Sequence, residues 1–120
     1  MKKIITIDGS AGSGKEKISK YIAKKYNLYH IDSGIFYRRL AYDLQKLNIK
    51  TSDKYKIRRF LSELPNLSLR KINALRQERV GVYASEIAKY EFVRNYVNLQ
   101  QKLVTKSTND KVGFVIDGRD

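Results

Sequence analysis

Residues 4–15 read IITIDGSAGSGK, an apolar run that leads directly into a glycine-rich segment ending in Lys15. Residues 9–15 fit the phosphate-binding pattern of a glycine, four further residues, and Gly-Lys. Glycines in such a loop let successive backbone N–H groups turn inward around an anion, and the lysine reaches the outer phosphates. A glycine turn without a ligand is the alternative, but a strand before the loop and a helix after it favour the site. The sequence therefore predicts a loop that binds a nucleoside triphosphate.

Apolar periodicity divides the chain into alternating strands and helices. We expect strands at residues 3–8, 28–31 and 112–116. We expect helices at 15–25, at about 35–47, from a cap at Ser52 or Asp53 to Pro65, and over 75–106 in two pieces broken near 89–91. Residues 66–73 are either a loop or a short strand. Strands that alternate with helices imply α/β class, a P-loop NTPase-type parallel sheet of about three strands flanked by helices.

The same periodicity assigns the side chains that face inward. On the first helix these are Ile18, Ile22 and Tyr21. On the later helices they are Phe36, Leu40, Leu44 and Leu47, then Ile57, Phe60, Leu61 and Leu64, and finally Val93, Val97, Gln100, Leu103 and Val104.

Length and composition favour one globular domain. The chain has 120 residues, of which 42% are apolar, enough for a core. It has no cysteine and one histidine, His30, which excludes thiolate and multi-histidine metal sites. The start of the chain does not resemble a signal peptide, and no apolar run is long enough to span a membrane. We expect a single partial domain over 1–120, mainly helical over 34–106, a cytoplasmic location and no membrane partner.

The chain is strongly basic, with 25 lysines and arginines and a net charge of +13. Such a charge attracts nucleotides, nucleic acid and anionic membranes alike, so it does not choose among them. The basic residues are spread along the chain without a block of five or six like charges. A nucleic-acid partner is therefore not expected.

Four runs, taken in order, resemble the bacterial cytidylate kinase family. They are IDGSAGSGK at 7–15, HIDSGIFYR at 30–38, RQERVGVYASEIAKYEFVR at 76–94 and FVIDGRD at 114–120. They are similar to the family's amino-terminal half and cover essentially all of this chain. The resemblance implies a nucleoside monophosphate kinase that transfers a phosphoryl group from ATP to CMP or dCMP. It also implies Mg²⁺ bound mainly through the phosphates, and a monomer.

The resemblance assigns roles on the phosphate side of such a site. The residues that match the ATP phosphate cradle are Gly9, Ser10, Ala11, Gly12, Ser13, Gly14 and Lys15, followed by Glu16 and Lys17. Lys15, Arg119 and Asp117 match catalytic positions, where Arg119 is a further phosphate ligand and Asp117 orients Arg119 or the metal shell. Forked arginine donors suit phosphate oxygens.

On the acceptor side, Ser33 and Arg38 match the residues that hold the monophosphate. Cytosine differs from uracil in its amino donor at C4 and its bare acceptor at N3, so its pocket needs a carboxylate and a donor. Asp120 matches the family's carboxylate, and Ser85 and Arg94 match its hydroxyl and guanidinium donors. The resemblance thus implies a substrate site formed by Ser33, Arg38, Ser85, Arg94, Arg119 and Asp120.

The chain departs from the family pattern at the loop and in length. Glu16 and Lys17 replace Gly-Thr, so the hydroxyl that contacts phosphate and the metal shell is missing. Glu16 adds a negative charge near the polyphosphate, and Lys17 offsets part of this loss as a phosphate donor. The chain resembles about half of a family member, without the lid and the adenine pocket, and residues 66–73 are shorter than the family's insert. We expect little or no turnover from these 120 residues alone.

Two other functions fit parts of the pattern. Another small P-loop kinase, for adenylate, shikimate or dephospho-coenzyme A, would share the loop, but HIDSGIFYR and FVIDGRD argue against it. A non-catalytic basic module would bind nucleotides or nucleic acid through its charge and keep the loop as an inherited anion site. Its affinity would fall steeply with salt and would not depend on the identity of the nucleotide.

Overall fold

The computed structural model describes residues 3–7, 14–107 and 113–117. The strands are β1 (Lys3–Ile7), β2 (Leu28–Asp32) and β3 (Gly113–Asp117). The helices are α1 (Lys15–Lys25), α2 (Ser33–Lys46), α3 (Lys54–Glu63), α4 (Glu78–Ile87) and α5 (Glu91–Ser107), with one 3₁₀ turn at Asn73–Arg76. Each predicted element is present within a few residues of its expected bounds. No helix in the described ranges is long and apolar enough to cross a membrane.

The chain divides into two compact units, residues 1–34 with 101–120 and residues 35–100. The first contains the three strands and α1. The second contains most of α2, then α3, α4 and most of α5. The expectation of one domain over 1–120 stays a prediction.

The sheet is parallel and has the order β1-β3-β2. The last strand of the chain therefore lies in the centre and pairs with both others. Ile7 and Asp32 are each level with Asp117, so the three strands end together at their carboxyl edge. Val115 is fully buried at the centre of a core with Ala23 and Leu28. The α/β class with a three-stranded parallel sheet is confirmed.

Helix α1 faces the core with small side chains. Ser19 and Ala23 are buried, whereas Ile18 is 52% exposed and Tyr21 63% exposed. The prediction that Ile18 and Tyr21 face inward is therefore wrong, although Ile22 does pack against the core. Small residues let a helix approach its sheet closely, and a periodicity count passes over Ser19 because serine is polar.

The core of the helical unit agrees better with the prediction. Its fully or almost fully buried side chains include Phe36, Leu40, Leu44, Ile57, Ile87, Val93 and Val97. Leu47, predicted to face inward, is exposed because α2 ends at Lys46 and the chain turns there, with Asn48 at a φ of 57°. Leu103, also predicted to face inward, is 39% exposed. It lies after residue 100, at which the helical unit ends.

Hydroxyl groups of two tyrosines bond to the segment between α2 and α3, one from α4 and one from the residue before α5. Tyr83 donates to the carbonyl of Ile49 at 2.6 Å, and Tyr90 donates to that of Thr51 at 2.7 Å. Each bond joins residues more than thirty positions apart in the chain. The segment between α2 and α3 is therefore fixed, and Asp53 then caps α3 by accepting from the backbone N–H of Lys56 at 3.1 Å.

The segment after α3 is held by Gln100, which is buried. Its amide nitrogen donates to the carbonyl of Pro65 at 3.1 Å, and its amide oxygen accepts from the N–H of Leu67 at 3.0 Å. Tyr96 adds a bond to the carbonyl of Leu64 at 3.0 Å. Residues 66–72 contain neither strand nor helix, so of the two expectations for this segment the loop is confirmed.

Candidate functional site

The described part of the phosphate-binding segment begins at Gly14. This residue has a φ of 85°, in the left-handed region that favours glycine, and it is the N-cap of α1. Its carbonyl accepts from the N–H of Ile18 at 3.2 Å, which starts the helix. The first N–H groups of a helix have no partner within it and favour anions. Five predicted phosphate-binding residues lie outside the described ranges, namely Gly9, Ser10, Ala11, Gly12 and Ser13.

The first turn of α1 carries Lys15, Glu16 and Lys17. The carboxylate of Glu16 pairs with the ammonium of Lys20 at 3.0 Å, one turn further along the helix. Both side chains of this pair are 64% exposed, so the pair adds little to stability. It does place a positive charge beside the only acidic side chain of the first turn. The repulsion expected between Glu16 and a polyphosphate is therefore reduced.

The family resemblance implies Mg²⁺, and the donor groups at this end of α1 can be tested against it. An ammonium group donates hydrogen bonds but cannot ligate a metal, so Lys17 offers no ligand. The carboxylate of Glu16 is already engaged by Lys20. Over the described ranges, no three His, Cys, Asp or Glu side chains lie close enough together to hold a metal ion. These residues do not fit a magnesium ion held by protein ligands.

The carboxyl ends of the strands position a second group of predicted residues. Asp32 ends β2, and its side chain accepts from the N–H of Gly34 at 2.9 Å, which caps the start of α2. Ser33 is the first residue of α2 and is 7% exposed. The backbone of Asp117 lies level with Asp32 at the edge where open parallel sheets bind ligands.

Two predicted residues that follow β3, Arg119 and Asp120, lie outside the described ranges. The side chain of Asp117 is also outside them. Their roles in phosphate binding and base recognition stay predictions.

In the helical unit, Arg38 is held from two sides. Its Nη1 donates to the carbonyl of Leu75 at 2.8 Å. Its guanidinium also lies against Gly81 of α4, where an added Cβ would be 2.9 Å from Nη2 and 3.3 Å from Cζ. The neighbouring Arg39 instead pairs with Asp43 on its own helix at 3.4 Å. Arg38 is thus oriented by residues outside α2, whereas the ion pair of Arg39 lies within α2.

Ser85 lies on the same face of α4 as Gly81, four residues and roughly 6 Å further along the axis. Its side chain is exposed, and its hydroxyl donates to the carbonyl of Val82 at 2.8 Å. The predicted base-contacting serine is therefore one helical turn from the contact point of Arg38.

Arg94, in the first turn of α5, lies at the carboxyl end of α4. Its Nη1 donates to the carbonyls of Ala88 and Lys89, at 2.9 and 2.8 Å. These carbonyls close α4, so the guanidinium caps that helix as basic side chains commonly do. The sequence suggested a ligand-binding residue and gave no sign of this structural role.

Three predicted substrate residues therefore follow one another along α4, with Arg38 at Gly81, then Ser85, then Arg94. Two guanidinium groups separated by a hydroxyl suit a ligand with an anionic group at one end and polar edges at the other. Each arginine uses Nη1 on backbone carbonyls, which fixes the plane of its remaining donors.

Two residues next to Arg38, one in space and one in sequence, were missed by sequence reasoning. Gly81 was detectable, because a lone glycine inside a helical pattern often marks a close approach. Tyr37, next to Arg38, gave no signal. Burial raises the pKa of the Tyr37 hydroxyl, while the charge of Arg94 lowers it in part.

Comparisons with known proteins identify the family of this chain. A family model described as cytidylate kinase matches residues 5–120. The chain is 38% identical to the cytidylate kinase of Fusobacterium nucleatum over 128 residues, which cover 98% of this chain and 56% of that relative. It is 35% identical to the cytidylate kinase of Mycoplasmopsis synoviae over 131 residues, which cover 100% of this chain and 58% of that relative.

The cytidylate kinase of Caldicellulosiruptor saccharolyticus is 38% identical over 138 residues, which cover all of this chain and 58% of that relative. Since this chain has 120 residues, that relative has additional residues inside the matched region. The chain spans a little over half the length of the curated relatives it matches. The match over residues 5–120 shows that this chain belongs to the cytidylate kinase family.

Proposed function

We propose that this chain carries the phosphate loop and the acceptor site of a kinase that converts CMP or dCMP to CDP or dCDP with ATP. The observation that supports it most strongly is the double restraint on Arg38, between the carbonyl of Leu75 and Gly81. A guanidinium fixed in this way is prepared to receive a phosphate monoester, since less side-chain entropy is lost on binding.

For the donor, we propose that the loop ending at Gly14 binds the phosphates of ATP and that Lys15 reaches the outer ones. In the transfer, an oxygen of the acceptor phosphate attacks the γ-phosphorus, and the bond from that phosphorus to the β-γ bridging oxygen breaks. Negative charge then spreads over the transferred group, and Lys15 and Arg119 would offset it. Asp117 would orient Arg119. Any Mg²⁺ would accompany the triphosphate through its own oxygens.

For the acceptor, we propose that Arg38 and Ser33 bind the monophosphate of CMP. Ser85 and Arg94 would donate to the nucleoside, and Asp120 would accept from the amino group of cytosine. The order of Arg38, Ser85 and Arg94 along α4 supports this assignment, because it runs from a phosphate-binding group toward polar donors. The cytoplasmic location and the monomeric state remain predictions.

The proposal is tested by CMP binding to Arg38→Met and Arg39→Met, measured by calorimetry. The two arginines are neighbours and the substitutions change the charge equally, but only Arg38 is oriented by Leu75 and Gly81. We expect Arg38→Met to weaken CMP binding at least tenfold and Arg39→Met to change it less than twofold. Equal losses in the two variants would contradict the proposal, because they would indicate attraction by net charge alone.

Catalysis is tested by a coupled assay of ATP with CMP, dCMP, UMP and AMP as acceptors. We expect whatever turnover the chain supports to be restricted to CMP and dCMP. The Asp120→Ala substitution should reduce the preference for CMP over UMP, because it removes the acceptor for the cytosine amino group. An unchanged ratio would contradict the role proposed for Asp120.

A further inference from the structure

The first turn of α1 places an unusual set of charges next to the phosphate loop. Where the resembled pattern has a small residue and a hydroxyl, this chain has Glu16 and then Lys17. Lys17 is exposed in the first turn of α1, whereas Glu16 is paired with Lys20. Three ammonium groups and one carboxylate therefore lie within the first six residues of the helix.

These charges suit phosphate oxygens and do not suit a metal ion. A hydroxyl in this turn can join the shell of a divalent cation, but an ammonium group cannot, and it repels the cation. An ammonium group does form short, charge-assisted hydrogen bonds with phosphate oxygens. Lys17 thus brings a positive charge into the turn in which the resembled pattern has a hydroxyl.

We propose that Lys17 takes over the neutralisation of phosphate charge at this loop, so that ATP binds as tightly without Mg²⁺ as with it. This inference rests on the function proposed above, since it assumes that the loop binds the triphosphate. The Glu16 to Lys20 pair supports Lys17 in this role. Because Lys20 also pairs with the carboxylate of Glu16, the ammonium groups in the first six residues of α1 outnumber the carboxylate.

The test is calorimetric titration of the 120-residue chain with ATP, once with Mg²⁺ and once with EDTA. We expect the two dissociation constants to agree within about twofold. Lys17→Thr restores a hydroxyl and removes the ammonium group. It should weaken ATP binding in EDTA by about tenfold, the usual effect of losing one hydrogen bond to a charged group. In this variant Mg²⁺ should then improve binding.

Lys24→Thr is the matched control, because it makes the same chemical change in the last turn of the same helix. We expect it to change ATP binding less than twofold in either buffer. Wild-type binding that is tenfold tighter with Mg²⁺ would overturn the inference. An effect of Lys17→Thr no larger than that of Lys24→Thr would overturn it as well.

Titration of the same samples with CMP separates this inference from the proposed function. CMP-selective binding together with ATP binding that requires Mg²⁺ would overturn the role of Lys17 alone. ATP binding that is independent of Mg²⁺ and depends on Lys17, without CMP selectivity, would support this inference and contradict the CMP site. If neither nucleotide binds saturably, both proposals fail.

Discussion

The guanidinium of Arg38 lies so close to Gly81 that a Cβ at position 81 would be 2.9 Å from Nη2. Because position 81 of α4 has no side chain, the guanidinium of Arg38 from α2 can occupy this space. The carbonyl of Leu75 fixes the other terminal nitrogen at 2.8 Å. Packing between helices and the proposed phosphate contact thus depend on the same residue pair.

Gly81→Val should displace Arg38 without unfolding the protein. The flexible end of the arginine can move away, and valine is a better helix former than glycine. We expect the free energy of unfolding to change by less than about 1 kcal/mol, because this gain offsets the lost bond to Leu75. Affinity for CMP should fall about tenfold. Urea denaturation measures the free energy of unfolding, and calorimetry measures the affinity for CMP.

Cytidine is the control ligand for this variant, because it lacks the phosphate that Arg38 is proposed to bind. Its affinity should be the same for the wild type and for Gly81→Val. An equal loss for CMP and cytidine would show that the valine disturbs the whole site, and the assigned role of Arg38 would then be wrong.

Arg94→Met should destabilise the fold because it removes the cap at the carboxyl end of α4. The substitution removes two hydrogen bonds to the carbonyls of Ala88 and Lys89, both of which end that helix. Since the guanidinium is exposed, we expect a loss of only about 1 kcal/mol, seen as a lower midpoint in thermal unfolding. Lys89→Met removes a nearby exposed charge without a cap and should leave the midpoint almost unchanged. Equal midpoints for the two variants would contradict the capping role.

Gln100→Met should reduce the free energy of unfolding more than Arg94→Met does. It leaves the buried N–H of Leu67 and the carbonyl of Pro65 without the amide that both contact. An unsatisfied buried donor costs about 1 to 3 kcal/mol, so urea denaturation should show a loss of about 2 kcal/mol. Asn98→Met, at an exposed position of the same helix, should cost less than about 0.5 kcal/mol. Equal losses in the two variants would contradict the role of the two Gln100 bonds.

Stability should fall between pH 10 and 12, and Tyr83 should contribute to the fall. Burial, together with the charges of Glu86 and Tyr90, raises the pKa of Tyr83 to about 12. The folded protein thus holds this proton above pH 10, where an unfolded tyrosine begins to lose it. The contribution of the Tyr83 hydroxyl to the free energy of unfolding is fully present below pH 10. It is lost as the pH rises toward 12.

Urea denaturation at pH 8, 10 and 11 measures this effect in Tyr83→Phe. The variant lacks the bond to Ile49, so it should be about 1 kcal/mol less stable at pH 8. Its stability should also decrease less between pH 10 and 11 than that of the wild type. Tyr55→Phe, at a side chain that is 73% exposed, should follow the wild type. A decrease in Tyr83→Phe as steep as in the wild type would refute the assignment.

The order and class of the elements were predictable because local signals agreed with tertiary structure. Gly14 marks the start of α1, Asp53 caps α3, and Pro65 follows the end of α3. The helix faces that pack against the core were less predictable. Ile18 has helical spacing but lies outside the face that packs, because α1 approaches its core through Ser19 and Ala23.

Motif spacing predicts candidate site residues, but it does not predict the contacts that hold their side chains. Motif spacing identifies Arg38, yet no local signal indicates that the carbonyl of Leu75, thirty-seven residues away, will orient it. Gln100 matches the core face by periodicity, but its two bonds depend on where a distant loop returns. Such contacts follow from chain topology, which residue spacing does not encode.

The central claim is that this chain recognises CMP, and calorimetric titration with CMP, UMP and AMP at 50 and 200 mM salt tests it most directly. We predict that CMP binds at least tenfold more tightly than UMP or AMP, and that this ratio is the same at both salt concentrations. Equal affinities for the three nucleotides, all falling steeply with salt, would contradict the account and show attraction by net charge alone.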